Sequence, residues 1–521
     1  MSAPKNLRIS HGPPPFKWSH LWEPAIVNPV NLKSYTIPIF NVWDPYARAF
    51  HLSWLGFFVA FLSWFAFPPL IPDAIKSDLH LTNAQVGNSN IIALAATLVL
   101  RVIAGPFVDK YGPRKVMAFL LILGAVPSGL AGTAHNAPTL YALRFFIGVL
   151  GATFVPCEAW TSAFFDKNCV GLANALVGGW DGLLNHLYSR GGATFAIMTT
   201  LFQSLTARGL SSHVAWRASF AIVPVPILLF VAGLIFLLGQ DHPAGRWSER
   251  HNLPATTIAL QQENGHHNAN YGLDPKTYTK GAEAAIVSIE QVKEEDLVFV
   301  RSVVDVAINE APTLKATLVM IREPLTWLPA LAYLTTFGVE LSIDGQMANV
   351  LFTLFQKKRA GFTQTTAGYY TSIFGFLNIV TRPFGGFLGD AIYRYYGTKG
   401  KKAWTLASGF VMGVALLAGG LYLEERQSSN DAQLNVLMAI FSVSAVFSEF
   451  GNGANFSLVP HCNPYSNGVM SGIVGSFGNL GGIMFALVFR FVPQVGKSFW
   501  IMGVISMAIN VILIPIPVPK L

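Results

Sequence analysis

Arg101 and Arg382 are the residues whose type and setting most need a chemical explanation. Each lies inside a long apolar stretch and precedes an aspartate, Asp109 or Asp390, by eight residues. The segments Arg101-Val-Ile-Ala-Gly105-Pro-Phe-Val-Asp109 and Arg382-Pro-Phe-Gly-Gly386-Phe-Leu-Gly-Asp390 both read R-x3-G-x3-D, and both run into a basic loop. At about 1.5 Å per helical residue, each arginine sits about 12 Å inside the end of its helix. Half of a hydrocarbon core is about 15 Å. Both side chains therefore start near the middle of a membrane, where a charge costs at least about 2.5–3.5 kcal/mol and requires a partner or a wet cavity. No acid stands one turn away in either segment. The partner is then either a bound anion or a glutamate from another span. Guanidinium suits an anion well, being planar, permanently charged and armed with a fork of N–H donors.

Other candidates surround this pair. Gly468, Gly472, Gly475, Gly478 and Gly482 step by four, three, three and four, so they share one helical face. Such a face lets backbones approach closely. Asn479 stands beside it, and a buried amide needs a hydrogen-bond partner. Glu158, Glu340, Asp344 and Glu449 also fall within apolar stretches. Acids there either relay protons or pair with cations; Glu340 is the first choice for a relay. Five aromatics, Phe57, Phe58, Phe61, Trp64 and Phe65, crowd the first apolar stretch, and one or two of them could cover an anion.

The elements that must carry these residues are membrane helices. The 521 residues are 52% apolar and 12% charged, about half the ~25% charge of a soluble domain. That argues against a secreted or cytosolic enzyme. Apolar spans fall at 50–71, 84–107, 115–133, 139–164, 170–203 and 216–238. After a polar gap they resume at 326–352, 367–389, 403–423, 434–459, 467–492 and 498–516. The expected fold is an all-α membrane protein with twelve transmembrane helices in two pseudo-symmetric six-helix bundles. Its parts are a tail (1–46), a first bundle (47–238), a connector (239–325), a second bundle (326–516) and a short end (517–521). A short amphipathic helix is expected near Ile286–Val304.

The formal charge of +8 fits cationic cytoplasmic loops better than nucleic acid. Lys110, Arg114 and Lys115 follow the second span, and Arg394, Lys399, Lys401 and Lys402 follow the eighth. Those loops, both termini and the connector are therefore expected in the cytoplasm. Lys357-Lys358-Arg359 disobeys the rule, either through a misplaced boundary, which is the favoured reading, or as an attractive mouth for anions. Residues 1–46 lack the continuous apolar core of a cleavable signal. The odd trio Cys157, Cys169 and Cys462 gives neither a disulfide framework nor a zinc site. With no GxxxxGK[ST], HExxH or GxSxG either, no ATP-driven pump, metal centre, cofactor or catalytic residue is expected.

The repeat of R-x3-G-x3-D is joined by a second, Gly171-x6-Gly178-Gly-Trp180 over Gly468-x6-Gly475-Ser-Phe477. Parallel repeats with a midplane binding site are a principal transporter architecture. Gly105-Pro-Phe-Val-Asp109-Lys110-Tyr-Gly112-Pro-Arg114-Lys115 resembles the cytoplasmic loop signature of the major facilitator superfamily. Gly475-Ser-Phe-Gly478-Asn479-Leu-Gly481-Gly482 resembles the far more specific signature of its nitrate/nitrite porter branch, as does Tyr333-Leu-Thr-Thr-Phe337-Gly338.

The resemblance covers most of the chain. It implies a plasma-membrane importer of nitrate, with nitrite as a second candidate substrate, driven by protons and working as a monomer in the lipid bilayer. Arg101 and Arg382 would clamp the anion, with Tyr333 and Asn479 in support. Tyr333 could equally be a packed ring. Asp109 and Arg114, with Asp390 opposite, and the glycines Gly105 and Gly386 would form the cytoplasmic gate. Nitrate/nitrite exchange and nitrate sensing through the connector are the alternatives.

One segment departs from the branch: Asp181 to Arg190 replaces the Gly-Asn-x-Gly-Gly expected after Trp180, seven residues too many. Asp181, His186 and Arg190 would enter a packed span, and Asn185 is no sure substitute for the missing asparagine.

Overall fold

The computed structural model describes residues 8–519 apart from 11, 30, 68–69, 71–73, 187–191, 253–313, 360, 363, 430–431 and 464–465. Helices dominate it. The first half carries α1 (Pro45–Trp64), α2 (Asn83–Tyr111), α3 (Pro113–Gly129), α4 (Ala137–Ile147), α5 (Phe154–Phe164), α6 (Val170–His186), α7 (Gly192–Ala207), α8 (Ser212–Ile222) and α9 (Pro224–Leu238). The second half carries α10 (Leu314–Arg322), α11 (Pro324–Phe355), α12 (Gln364–Ser429), α13 (Leu434–Cys462), α14 (Asn467–Phe491) and α15 (Val495–Ile512). Among the described residues, eight helices are long and apolar enough to cross a membrane.

Local chemistry sets many of the boundaries. Asp44 caps α1 by accepting from the Tyr46 N–H at 2.8 Å, with Pro45 at the first helical position. Thr82 and Gln85 form a capping box at the start of α2, satisfying two donors that would otherwise lack partners. Between α2 and α3, Gly112 has φ +91°, a left-handed turn that favours glycine. α12 runs through two expected spans in one element, kinked at Gly397 with φ +60°.

One expectation is corrected, and parts of two others fall outside what is described. The fifth span, expected over 170–203, carries α6 and α7, and the residues between them, 187–191, lie outside the described ones. The polar side chains expected there, Asp181, Asn185, His186 and Arg190, lie outside the residues whose side chains are described, as does the connector helix expected at 286–304. The sixth expected span, 216–238, falls within one membrane-length apolar stretch, Ser212–Leu238, which kinks at Val223 because Pro224 has no N–H to donate into the helix. The amino-terminal segment is more than a polar tail. β1 (Arg8–Ile9) pairs in parallel with β2 (Ile26–Val27), and the Ser34 N–H donates to Phe164 O at 2.9 Å. Ala25, Val27, Tyr35 and Ile37 are buried. A composition averaged over 46 residues hid this short apolar run.

The halves meet through two equivalent seams. α2 packs along α14, and α6 packs along the first part of α12. In one seam a Cβ on Gly105 would fall 2.8 Å from Gly468 O; in the other, a Cβ on Gly386 would fall 2.3 Å from Gly171 O. Such distances exclude any side chain, so the paired glycines set how closely the halves approach.

At the opposite end from these seams' aspartates, Asp78 ties the loop after α1 to α8. It accepts from His213 Nδ1 (2.6 Å), Trp216 Nε1 (2.9 Å) and Arg217 Nη1 (2.5 Å). Burial alone would raise this carboxyl, but the three donors outweigh it and hold it below the usual aspartate value. The stabilisation is therefore present above the unfolded aspartate pKa, about 4, and lost as pH falls through the lower folded value. Asp78→Ala is expected to cost about 2 kcal/mol, the scale of hydrogen bonds to a charged group. A thermal melt of the purified protein at pH 7 checks this, with the difference shrinking at pH 3.

Candidate functional site

α2 delivers Arg101 to the interior at 1% exposure. Its Nε donates to Gly151 O at 2.9 Å, from the turn between α4 and α5, and its Nη1 donates to Gly475 O at 2.8 Å, from α14. These two carbonyls, one from each half, fix the plane of the guanidinium. The Phe154 ring lies 4.5 Å from the guanidinium carbon and the Phe337 ring 5.9 Å, both within cation–π range.

α12 delivers Arg382 at 4% exposure, and its Nη2 donates to Tyr333 Oη at 3.4 Å. Tyr333 is itself fully buried, stacked on Phe337 (4.9 Å, 6° between planes) and on Phe154 (6.2 Å, 20°). Phe456 of α13 closes the group edge-on to both Tyr333 and Phe154, at 5.0 Å each. A slab of rings therefore connects the two arginines. Among the described residues, neither guanidinium has a carboxylate within 4.0 Å.

The signature on α14 builds one wall. Asn479, 1% exposed, donates Nδ2 to Gly475 O at 3.3 Å, the carbonyl that also receives Arg101. A Cβ on Gly478 would meet the Tyr333 and Phe337 rings at 2.7 Å, and one on Gly481 would meet Leu334 O at 2.0 Å. Gly482 faces Leu341 and Gly475 faces Phe154. These glycines let α11 press its tyrosine against the site. Glu340 stands seven residues beyond Tyr333 on α11 and accepts from Asn378 Nδ2 (3.1 Å) and Asn452 Nδ2 (2.7 Å).

The residues expected at the cytoplasmic gate fall into two equivalent contacts and one separate one. Asp109 accepts from Ser466 Oγ (2.5 Å) and from the N–H groups of Gly468 (2.9 Å) and Val469 (3.0 Å), capping α14. Asp390 accepts from the N–H groups of Gly171 (3.1 Å) and Leu172 (2.7 Å), capping α6, and pairs with the fully buried Lys401 at 3.0 Å. Each carboxylate thus sits on the positive end of a helix from the other half. Arg114 does not cross between the halves: it pairs with Asp241 at 2.6 Å and donates to Gly239 O at 2.9 Å, at the end of α9.

The surroundings of several of these residues were not read from the sequence. The ring over Arg101 is Phe154 of α5; the first-span aromatics reach it at one remove, through Phe57 at 5.7 Å. The Gly151 carbonyl carries no sequence signal at all. Glu158, one turn beyond Phe154, has both carboxyl oxygens buried without a hydrogen-bond partner, in the field of both arginines. Lys357-Lys358-Arg359 lies just past the end of α11, not inside a misassigned span, and Lys358 and Arg359 line a recess of about 280 Å³ with Gln433 and Asn435.

Two related bundles, a buried cationic pair and glycine seams between the halves define a membrane transporter, not an enzyme. Residues 53–486 match the model of the Major Facilitator Superfamily. The proton:xylose symporter XylE shares the fold, with a TM-score of 0.58 at 14% identity, over 90% of this chain and 95% of that one. The high affinity nitrate transporter 2.5 of Arabidopsis thaliana is 30% identical over 91% of this chain and 80% of its own. The nitrate/nitrite transporter NrtP of Nostoc punctiforme is 27% identical over 87% and 88%. The chain belongs to the major facilitator superfamily and, within it, to the nitrate/nitrite porter family.

Proposed function

We propose that this protein imports nitrate, and nitrite as a second substrate, across the plasma membrane by proton symport with alternating access. It acts as a monomer with both termini in the cytoplasm. The observation that carries the reading is the pair of deeply buried arginines with no carboxylate within 4.0 Å among the described residues. A small planar anion accepts the guanidinium fork in bidentate fashion, which a compact ammonium could not offer. Names of relatives supply the substrate.

In this reading Arg101 and Arg382 hold the anion between the halves, Tyr333 offers its hydroxyl, and Asn479 fixes the carbonyl that orients Arg101. Anion binding reduces the mutual repulsion of the two cations, so the liganded protein favours the closed arrangement and a bound anion drives the switch. Asp109 and Asp390, seated through Gly105 and Gly386, hold the cytoplasmic end shut while the anion enters from outside. Arg114 braces that end within its own half. Entry of one anion works against about 2.3 kcal/mol per 100 mV, and more than one proton reverses the sign.

Uptake of labelled nitrate and nitrite into proteoliposomes, with and without an imposed pH gradient, tests the reading. Accumulation is expected only with the gradient. Uptake indifferent to pH but dependent on internal nitrite would make the protein an exchanger.

Glu158 gives a sharper check. An ionised carboxyl at Glu158 would attract the same two cations as a substrate anion, so Glu158→Gln is expected to lower the KM for nitrate several-fold. A raised KM in transport assays would contradict the placement.

A further inference from the structure

Glu340 and Asp344 stand one turn apart on α11, with Asp344 nearer the end opposite the Asp109 and Asp390 contacts. Glu449 of α13 and Asn378 of α12 pack against them, and the four residues line a cavity of about 20 Å³ closed by Phe374, Ala445 and Ser448. That volume accommodates about one water. Exposure falls along the row: Asp344 is exposed, Glu340 is half-buried, and Glu449 is 3% exposed.

The hydrogen bonds leave a defined vacancy of chemistry. Asn452 Nδ2 bridges the two glutamates, reaching Glu340 Oε2 at 2.7 Å and Glu449 Oε2 at 3.4 Å. Asn378 spends its Nδ2 on Glu340 Oε1 at 3.1 Å. Its own Oδ1 is buried without a partner, in a residue only 7% exposed that lines the cavity. The side-chain donors in its lining, Asn378 Nδ2 and Ser448 Oγ, are already spent on Glu340 and on Thr336 O, so the cavity presents chiefly acceptors. Two neighbouring carboxylates that share the Asn452 amide do not both stay ionised at low cost. Among the described residues no group of three acidic, histidine or cysteine side chains is arranged to hold a metal ion. A proton on the glutamate pair, with a water donating to Asn378, meets the need.

We propose that Glu340 and Glu449, entered past Asp344, form the proton-binding site of this transporter and communicate with the anion site through Arg382. The proposal rests on the proton-coupled reading above. Arg382, from α12, lies within electrostatic range of both glutamates, and Tyr333 and Asp344 lie within range of Glu340 from its own helix. With one proton already shared by the pair, its single remaining negative charge attracts Arg382 and anion affinity is low. When a second proton arrives from outside, the pair becomes neutral and Arg382 is left to the substrate. Proton and anion therefore bind cooperatively, and each travels with the other. On the inner side the proton leaves the carboxyl for water as the anion departs.

The test uses the full chain in proteoliposomes with labelled nitrate. Glu340→Gln and Glu449→Gln are each expected to lose pH-driven accumulation at least tenfold, to keep nitrate counterflow at equal pH within about threefold of the wild type, and to lose the pH dependence of the nitrate KM. Asp344→Asn, at the exposed mouth, is expected to slow pH-driven uptake several-fold and leave counterflow intact. Wild-type accumulation by both glutamine variants overturns the proposal. So does loss of counterflow in both, which would make the pair architectural, and so does wild-type accumulation driven by a sodium gradient at uniform pH. A wild-type chain with no nitrate counterflow would instead sink the porter reading itself.

Discussion

Replacing Arg101 by lysine is expected to raise the nitrate KM about ten- to a hundredfold while the protein folds and reaches the membrane normally. Two carbonyls, from Gly151 and Gly475, already engage Nε and Nη1. They hold the guanidinium plane so that the rest of the fork points in a fixed direction. A lysine ammonium is a point charge on a flexible stem and cannot satisfy two carbonyls and an anion in one plane. It also loses the stacked approach to Phe154. Loss of one charge-assisted hydrogen bond is worth about 1.5–3 kcal/mol, which sets the size of the effect. Arg382→Lys is expected to behave alike, since its partner Tyr333 Oη is aligned to a guanidinium edge. Labelled nitrate uptake over a concentration series measures both. A near-normal KM in either variant would contradict the fork.

The second large effect is expected at the proposed latch. Asp109→Ala leaves the Ser466 hydroxyl and two N–H groups of α14 without their acceptor, and removes a negative charge from a helix N-terminus. A penalty of about 3 kcal/mol on the closed state follows from orphaning several buried donors. That shifts the balance between closed and open states by about a hundredfold. Two native thiols report on it. Cys462 (5% exposed) ends α13 four residues before Ser466, and Cys169 (7% exposed) precedes the α6 start that Asp390 caps. Labelling of these cysteines by a thiol reagent is expected to rise at least tenfold in the variant, with uptake falling in parallel. Unchanged labelling would mean that the glycine seams alone hold this end closed.

The helical framework was legible because it rests on apolar run length, which is local. The duplication was legible for a related reason: R-x3-G-x3-D keeps its spacing in both halves, and that spacing puts an arginine about two turns along the helix from the aspartate. The partners of those residues were not legible. Nothing in Gly151 marks its carbonyl as the one that orients Arg101, and Phe154 looks like any core phenylalanine. Arg114 reads as one unit with Asp109 in sequence, yet it turns away to Asp241, a contact set by how α9 ends. The amino-terminal strands were missed because their apolar residues are few and are buried by tertiary packing instead of by their own periodicity.

The central claim is that two buried guanidinium groups recognise a small flat anion by shape as well as charge. Equilibrium binding of labelled nitrate to the purified protein, challenged with unlabelled anions, tests it most directly. The account predicts saturable binding that nitrite displaces and equimolar chloride or sulfate does not. Displacement by chloride as effective as by nitrite, or no nitrate binding at all, would contradict it.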